Sequence, residues 1–106
     1  TGYQEALEGR IIDTCARYNA ECTIEFTRAR GHATELATEA KDQGFDLVVA
    51  VGGDGTINEV AQGALRSSLP MGIIPRGSGN GLARHLGIPL QIPAGLHVLF
   101  TGTPLA

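Results

Sequence analysis

The sequence of 106 residues has no tryptophan, only two cysteines and a net charge of -3. It lacks a stretch of about 18 or more apolar residues, the sign of a transmembrane helix, so we expect no membrane span. It also lacks the excess of basic residues with which proteins bind nucleic acids, and we expect no nucleic-acid partner. With 42% hydrophobic and 18% charged residues, its composition is typical of one folded globular domain.

The two cysteines, Cys15 and Cys22, form neither a C-x-x-C motif nor a disulfide framework. Disulfides are rare in the reducing cytosol, so two free thiols favour a cytoplasmic protein. A single structural disulfide between them is the alternative. For a cytoplasmic protein without a membrane span, any contact with the inner face of a membrane would be peripheral.

Acidic residues are confined to the first part of the chain. All eleven lie between Glu5 and Glu59, whereas residues 61–106 contain Arg66, Arg76 and Arg84 and no acid. Chemistry that needs a carboxylate must therefore use the first half of these residues, or residues outside this chain.

Hydrophobic periodicity predicts alternating helices and strands. Apolar residues recur every three or four positions in the predicted helices, and β-branched or continuously apolar stretches mark the strands. Helices are predicted at residues 4–18, 33–40, 57–65, 82–86 and 94–102, and strands at residues 21–27, 46–51 and 71–74. This alternation is typical of a parallel sheet with helices on both faces. We therefore predict an α/β fold, a three-layer sandwich.

The strand patterns also predict positions within that sheet. Residues 46–51 are apolar without alternation, as in a strand buried on both faces, so we expect a central position. Residues 21–27 alternate, which favours a position near an edge. Ligands of such sheets bind outside the carboxyl ends of the strands. Glycine-rich loops at residues 52–56 and 75–81 follow two of the strands, and we expect them to meet in one crevice.

The first loop consists of Gly52, Gly53, Asp54, Gly55 and Thr56. Its glycines allow the backbone to approach a phosphate closely, and the helix that follows adds a partial positive charge at its N-terminus. A tight turn without a ligand is the alternative. A phosphate cradle is favoured because three glycines surround one acid at the end of a buried strand.

Three polar residues of this region are candidates for chemistry. Asp54 is predicted to act through Mg²⁺ at the phosphates, with helix capping as its alternative role. Asn58 is placed to face the loop, whereas Glu59 is equally consistent with a site residue and a solvated charge. No G-x-x-x-x-G-K-[ST] motif occurs, and Asn58 stands where a G-x-G-x-x-G motif needs its third glycine.

In the second loop, Ser78 and Asn80 could form hydrogen bonds with phosphate or ribose oxygens, and Arg76 could neutralise phosphate charge. Alone it is a weak signal, because Gly-Ser-Gly also serves as a plain linker. His32 has no carboxylate nearby in sequence, so a structural role is favoured over proton transfer. The histidines lack metal-ligand spacing, and no zinc site is expected.

Three ordered motifs resemble the diacylglycerol kinase catalytic domain family. They are Thr27-x-x-x-Gly31-His32-Ala33, then GGDGTINEV at residues 52–60, then Pro75-x-Gly77-Ser78-Gly79-Asn80. The resemblance implies a nucleotide-binding lobe like that of phosphofructokinases and NAD kinases. It also implies ATP and Mg²⁺ as cofactors, and transfer of the γ-phosphate to a lipid hydroxyl of diacylglycerol or of a sphingoid or ceramide-like lipid at a membrane surface.

The resemblance also implies which residues contact the nucleotide, with Asp54 as the catalytic residue among them. These residues are Thr27, Gly52, Gly53, Asp54, Gly55, Thr56, Ile57, Asn58, Ser78, Gly79 and Asn80.

Departures from the family pattern limit what this chain is expected to do alone. Family members begin with an Asn-Pro strand that is not found here, and their general base comes from a C-terminal β-rich lobe. We therefore expect residues 1–106 to be an N-terminal lobe, incomplete at both ends and inactive by itself. Gly81 stands where many bacterial diacylglycerol kinases have aspartate, which leaves the acceptor lipid undecided.

Two other functions are weighed against a lipid kinase. An NAD kinase or a phosphofructokinase would share the Gly-Gly-Asp-Gly loop, but the loop at residues 77–80 disfavours both. A non-catalytic nucleotide-binding module is the second alternative. A homo-oligomer is left open.

Overall fold

The computed structural model describes residues 2–75 and 92–102. Helices and strands alternate along most of this chain, as predicted. The elements are α1 (Gly2–Arg17), β1 (Glu21–Phe26), α2 (His32–Glu39), β2 (Leu47–Gly52), α3 (Asp54–Ser67), β3 (Met71–Pro75) and β4 (His97–Gly102). The described strands form one parallel sheet in the order β1-β4-β2-β3.

Helices cover both faces of the sheet, which confirms the predicted three-layer α/β sandwich. On one face, Ile11 and Cys15 of α1 belong to a buried cluster with Val49, Val98 and Phe100 of the strands. The residues of β2 and β4 alternate between the two faces, so their other side chains contribute to a second core.

The second core lies under α2 and α3. Its buried members are Ala33, Ala37, Ala40, Val48, Ala50, Val60 and Leu99. The helical members of this cluster are mostly alanines, so the two helices approach each other closely. A Cβ atom added at Gly63 of α3 would lie 2.5 Å from the Ala37 Cβ atom and 2.6 Å from the Thr34 carbonyl oxygen. Gly63 is therefore required by helix packing.

The positions predicted for two strands are confirmed. β1 is an edge strand whose exposure alternates with half-burial along its length. β2 lies between β4 and β3, and Val48, Val49 and Ala50 are fully buried. Their burial explains why β2 is apolar without alternation.

The helix predicted at residues 94–102 is wrong. Residues His97–Gly102 form β4, inserted between β1 and β2. A short apolar run fits a buried strand as well as a buried helix, and periodicity alone cannot separate the two. Val98, Leu99 and Phe100 are buried on alternating faces of the sheet, so tertiary context selects the strand. The helix predicted at residues 82–86 lies outside the described residues.

Candidate functional site

The turn between β2 and α3 presents backbone N–H groups at the carboxyl end of the sheet. β2 ends at Gly52, whose φ of 152° is one that side chains rarely adopt. Gly53 follows as the N-cap of α3, so no side chain caps this helix. Because the first N–H groups of a helix have no partner within it, the turn leaves donors for an anion.

Asp54 is the first residue of α3 and its side chain is exposed. The capping position belongs to Gly53, so Asp54 does not have the alternative role that its sequence position allowed. A carboxylate in the first turn is stabilised by the helix dipole. Its position leaves this carboxylate accessible to a ligand at the start of the helix.

A cleft of about 360 Å³ lies beside this turn. Thr27, Arg28, Ala29 and Arg30 line one side of it, and Gly55, Thr56 and Glu59 of α3 line the other. The structure thus brings together predicted site residues that are about 28 positions apart in sequence, as expected where the carboxyl ends of parallel strands meet.

The floor of this region is formed by closely spaced strand ends. The Thr27 N–H donates to the Gly102 carbonyl oxygen at 2.9 Å, which extends the pairing of β1 with β4. Gly102 pairs with Val51 of β2, and a Cβ atom at Gly102 would collide with the Val51 carbonyl group. Glycine at this position therefore lets β4 lie close beside the end of β2.

Glu59 ties the loop after β1 to α3. Its Oε1 atom accepts a hydrogen bond from the Gly31 N–H at 3.0 Å, and its carbonyl oxygen accepts one from the Thr34 hydroxyl at 2.8 Å. Gly31 has a φ of 88° and is the N-cap of α2. The half-buried Glu59 is therefore not a freely solvated charge but a link between two parts of the site.

His32 serves the same loop. Its Nδ1 atom accepts a hydrogen bond from the Arg28 N–H at 3.4 Å, closing a turn over four residues. This geometry supports the structural role favoured for His32, because one ring nitrogen is occupied by a backbone donor.

Some predicted site residues do not line the cleft. Ile57 packs against the core under α2 and α3, and its N–H donates to the Gly53 carbonyl oxygen at 3.0 Å. Asn58 is exposed on α3. Their contacts with a nucleotide stay predictions. Arg76, Ser78, Gly79 and Asn80 lie outside the described residues, as does the expected meeting of the two loops.

Arg28 and Arg30 line the cleft but were not among the predicted site residues. A usable signal was present, because both lie between Thr27 and Gly31 of the first family motif. Strand periodicity could not show that this loop turns back toward α3, since the loop is held by the distant Glu59.

No group of three or more metal-binding side chains occurs in residues 2–75 and 92–102. Magnesium ions at phosphate sites are commonly held by one or two carboxylates together with substrate phosphates and water. The exposed carboxylate of Asp54 fits that mode of binding. It would not by itself form a metal site without a phosphate ligand.

Cys15 and Cys22 are free thiols on α1 and β1. Burial raises the pKa of Cys15 to about 12, and a hydrogen bond with Cys22 contributes to the same shift. These cysteines lie in the core under α1, on the face of the sheet opposite α3, and neither lines the cleft.

Comparison with known proteins identifies related sequences. The sequence model of the diacylglycerol kinase catalytic domain matches residues 2–105. A diacylglycerol kinase of Bacillus subtilis (strain 168) is 48% identical over 84 residues, 77% of this chain and 28% of that protein. A probable lipid kinase, YegS-like, of Cronobacter sakazakii is 37% identical over 83 residues, 74% of this chain and 28% of that protein.

The chain thus spans less than a third of the length of these relatives. No solved structure is significantly similar to it. Among the helices that the structure describes, none is long and apolar enough to cross a bilayer.

Proposed function

Because this chain belongs to the diacylglycerol kinase catalytic domain family, we propose that the whole protein is an ATP- and magnesium-dependent lipid kinase. It would transfer the γ-phosphate of ATP to a hydroxyl of diacylglycerol or of a sphingoid or ceramide-like lipid. The names of relatives as diacylglycerol kinase and lipid kinase support a lipid acceptor.

The observation that carries this proposal is the cleft shared by Thr27, Gly55 and Thr56. All three are positions that the family resemblance assigns to the nucleotide. In the chain they belong to separate motifs, and the sheet places them around one opening at the start of α3.

The residues of this chain would bind and orient the phosphates. Gly53 and Gly55 let the backbone N–H groups of the turn approach phosphate oxygens closely, and the dipole of α3 favours the negative charge. Asp54 would hold magnesium, which when bound neutralises charge that develops on the transferred phosphoryl group. Positioning and electrostatic stabilisation supply most of the catalysis in phosphoryl transfer.

We also propose that these residues form one lobe of the kinase and that the general base lies outside them. The chain covers 28% of the Bacillus subtilis relative, and no acid follows Glu59. A kinase of this kind would work in the cytoplasm, with its lipid substrate reached by peripheral contact with the membrane.

The test is lipid phosphorylation by the whole protein, with a panel of diacylglycerol, sphingosine and ceramide presented in mixed micelles. Asp54→Asn should lower the rate about 100-fold, the size of effect that follows loss of one charge-stabilising group. Asp42→Asn is the matched control, because Asp42 is exposed and outside the cleft. Phosphorylation of NAD or a sugar phosphate, with no lipid turned over, would refute the proposal.

A further inference from the structure

We propose that Arg28 and Arg30 form a second phosphate-binding element of the cleft, facing the turn at the start of α3, with Glu59 as the positioning residue that holds their loop. The inference rests on the proposed function and deepens it, because it names how the charge of the phosphate groups is met. The ligand chemistry is a phosphate ester or anhydride.

The two arginines are placed for such a role. They lie on the loop between β1 and α2 and line the same cleft as Gly55 and Thr56. Both are exposed, and neither makes an ion pair with a described residue. The contact of 3.0 Å between His97 Nδ1 and Glu21 Oε2 lies at the amino ends of β1 and β4, away from the cleft.

The charge of the cleft favours an anion. Two guanidinium groups line it against one carboxylate, that of Glu59, and the N-terminus of α3 adds roughly half a positive charge. Planar guanidinium groups match the oxygens of phosphate in paired hydrogen bonds, which makes arginine well suited to this ligand.

Thr27 lines the same cleft and is only 6% exposed. A threonine hydroxyl can donate to and accept from oxygen ligands, so Thr27 adds a polar group to the arginine side of the cleft.

Glu59 determines where the arginines stand. Its carboxylate accepts a hydrogen bond of 3.0 Å from the N–H of Gly31, the residue that follows Arg30. The two partners are 28 positions apart in sequence. The hydrogen bonds from the Arg28 N–H to His32 Nδ1 at 3.4 Å and from the His32 N–H to the Ala29 carbonyl oxygen at 3.2 Å are local and do not reach α3. Loss of the Glu59 carboxylate would free the loop from α3 and move the guanidinium groups away from the phosphates.

The experiment compares Arg28→Gln, Arg30→Gln and the double variant in the whole protein. Arg66→Gln is the matched control, since Arg66 is an exposed arginine in the last turn of α3. Affinity for ATP, inorganic tripolyphosphate and adenosine is measured by calorimetry. Each cleft substitution should weaken the binding of ATP and of tripolyphosphate about tenfold, or about 1.4 kcal/mol. The binding of adenosine should not change, and Arg66→Gln should leave the affinity for all three ligands unchanged.

A second arm distinguishes the source of the phosphate. Sedimentation with vesicles of phosphatidylglycerol, and with neutral vesicles of phosphatidylcholine, is measured for the same variants. Unchanged vesicle binding with weaker ATP binding assigns the arginines to the nucleotide. Weaker binding to phosphatidylglycerol alone assigns them to a lipid headgroup. If the cleft substitutions weaken the binding of ATP and of phosphatidylglycerol vesicles no more than Arg66→Gln does, the inference is wrong.

A third arm tests Glu59 as a positioning residue. Glu59→Gln keeps an oxygen acceptor for the Gly31 N–H and should retain most of the affinity for ATP. Glu59→Ala removes the acceptor and should raise the KM for ATP about as much as the arginine double variant, with kcat for lipid phosphorylation little changed. Equal behaviour of the glutamine and alanine variants would exclude this role, and Glu59→Gln remains informative should Glu59→Ala fail to fold.

These outcomes separate the inference from the proposed function. A protein that phosphorylates lipids with an unchanged KM for ATP in the double variant would refute the arginine element and leave the kinase proposal intact. If the wild-type protein phosphorylates no lipid, and the double variant binds tripolyphosphate more weakly than the wild type, the kinase proposal is refuted and the arginine element is supported.

Discussion

Replacement of Gly63 by alanine should destabilise the fold even though alanine is the better helix former. Gly63 lies where α3 crosses α2. The added Cβ atom would lie 2.5 Å from the Ala37 Cβ atom, 2.6 Å from the Thr34 carbonyl oxygen and 2.9 Å from the Thr38 nitrogen. Carbon atoms in contact are normally separated by about 3.5–4.0 Å, so the helices would have to move apart by about 1 Å.

Two opposing effects decide the magnitude. Overpacking of a core costs about 1–3 kcal/mol, and two of the three close atoms belong to the backbone and cannot rotate away. Alanine in a helix interior gains about 0.5–1 kcal/mol relative to glycine. We therefore expect Gly63→Ala to lower the free energy of unfolding by about 1–2 kcal/mol.

Urea unfolding followed by circular dichroism measures this difference. Gly9→Ala is the matched control, because Gly9 lies in α1, is exposed, and has no atom within 4 Å of an added Cβ atom. The control should be stabilised by about 0.5–1 kcal/mol. Equal stabilisation by both substitutions would show that the close contact of α2 with α3 has been misjudged.

Three further substitutions or reactions test other parts of the structure. Thr101→Val should raise the free energy of unfolding by about 1 kcal/mol in the same assay, because the buried Thr101 hydroxyl has no described partner and valine has the same shape. A lower free energy of unfolding would show that this hydroxyl makes a hydrogen bond. Gly31→Ala should lower the free energy of unfolding by about 1–2 kcal/mol, because the φ of Gly31 is 88°. Gly53→Ala, at a φ of -87°, should change it little. Equal losses of stability in the two variants would contradict the left-handed conformation of Gly31. Since the pKa of Cys15 is about 12, above the unfolded value of 9.0, its contribution to stability is present below pH 9 and is lost as the pH rises toward 12. Cys15 should therefore resist iodoacetamide at pH 8 until the protein unfolds, as followed by mass spectrometry, and rapid labelling in the native state would contradict its burial.

Most of the fold was accessible from local patterns. The continuous apolar run that became β2 and the alternating run that became β1 predicted both strands and their places in the sheet. These patterns record how many faces of a strand are buried. The run that became β4 could not be assigned in this way, because its burial between two strands is decided by residues far away in sequence.

The site was predictable in kind but only partly in composition. Strand, glycine turn and helix predict a phosphate loop because the backbone itself supplies the donors. The arginine loop needed the structure, since its orientation depends on the hydrogen bond between Glu59 and Gly31. The sequence alone is equally consistent with Glu59 as a site residue and as a solvated charge, and the structure shows that its carboxylate links the loop to α3.

The sequence by itself determined that this chain has an α/β fold of the diacylglycerol kinase catalytic domain family, and that residues 52–56 turn from a strand into a helix. These properties depend on local periodicity, glycine conformation and ordered motifs. Only the tertiary structure decided that Thr27, Arg28 and Arg30 stand across a cleft from Gly55 and Thr56. The physical reason is that parallel strands bring distant segments to one edge, where contacts between remote residues hold them.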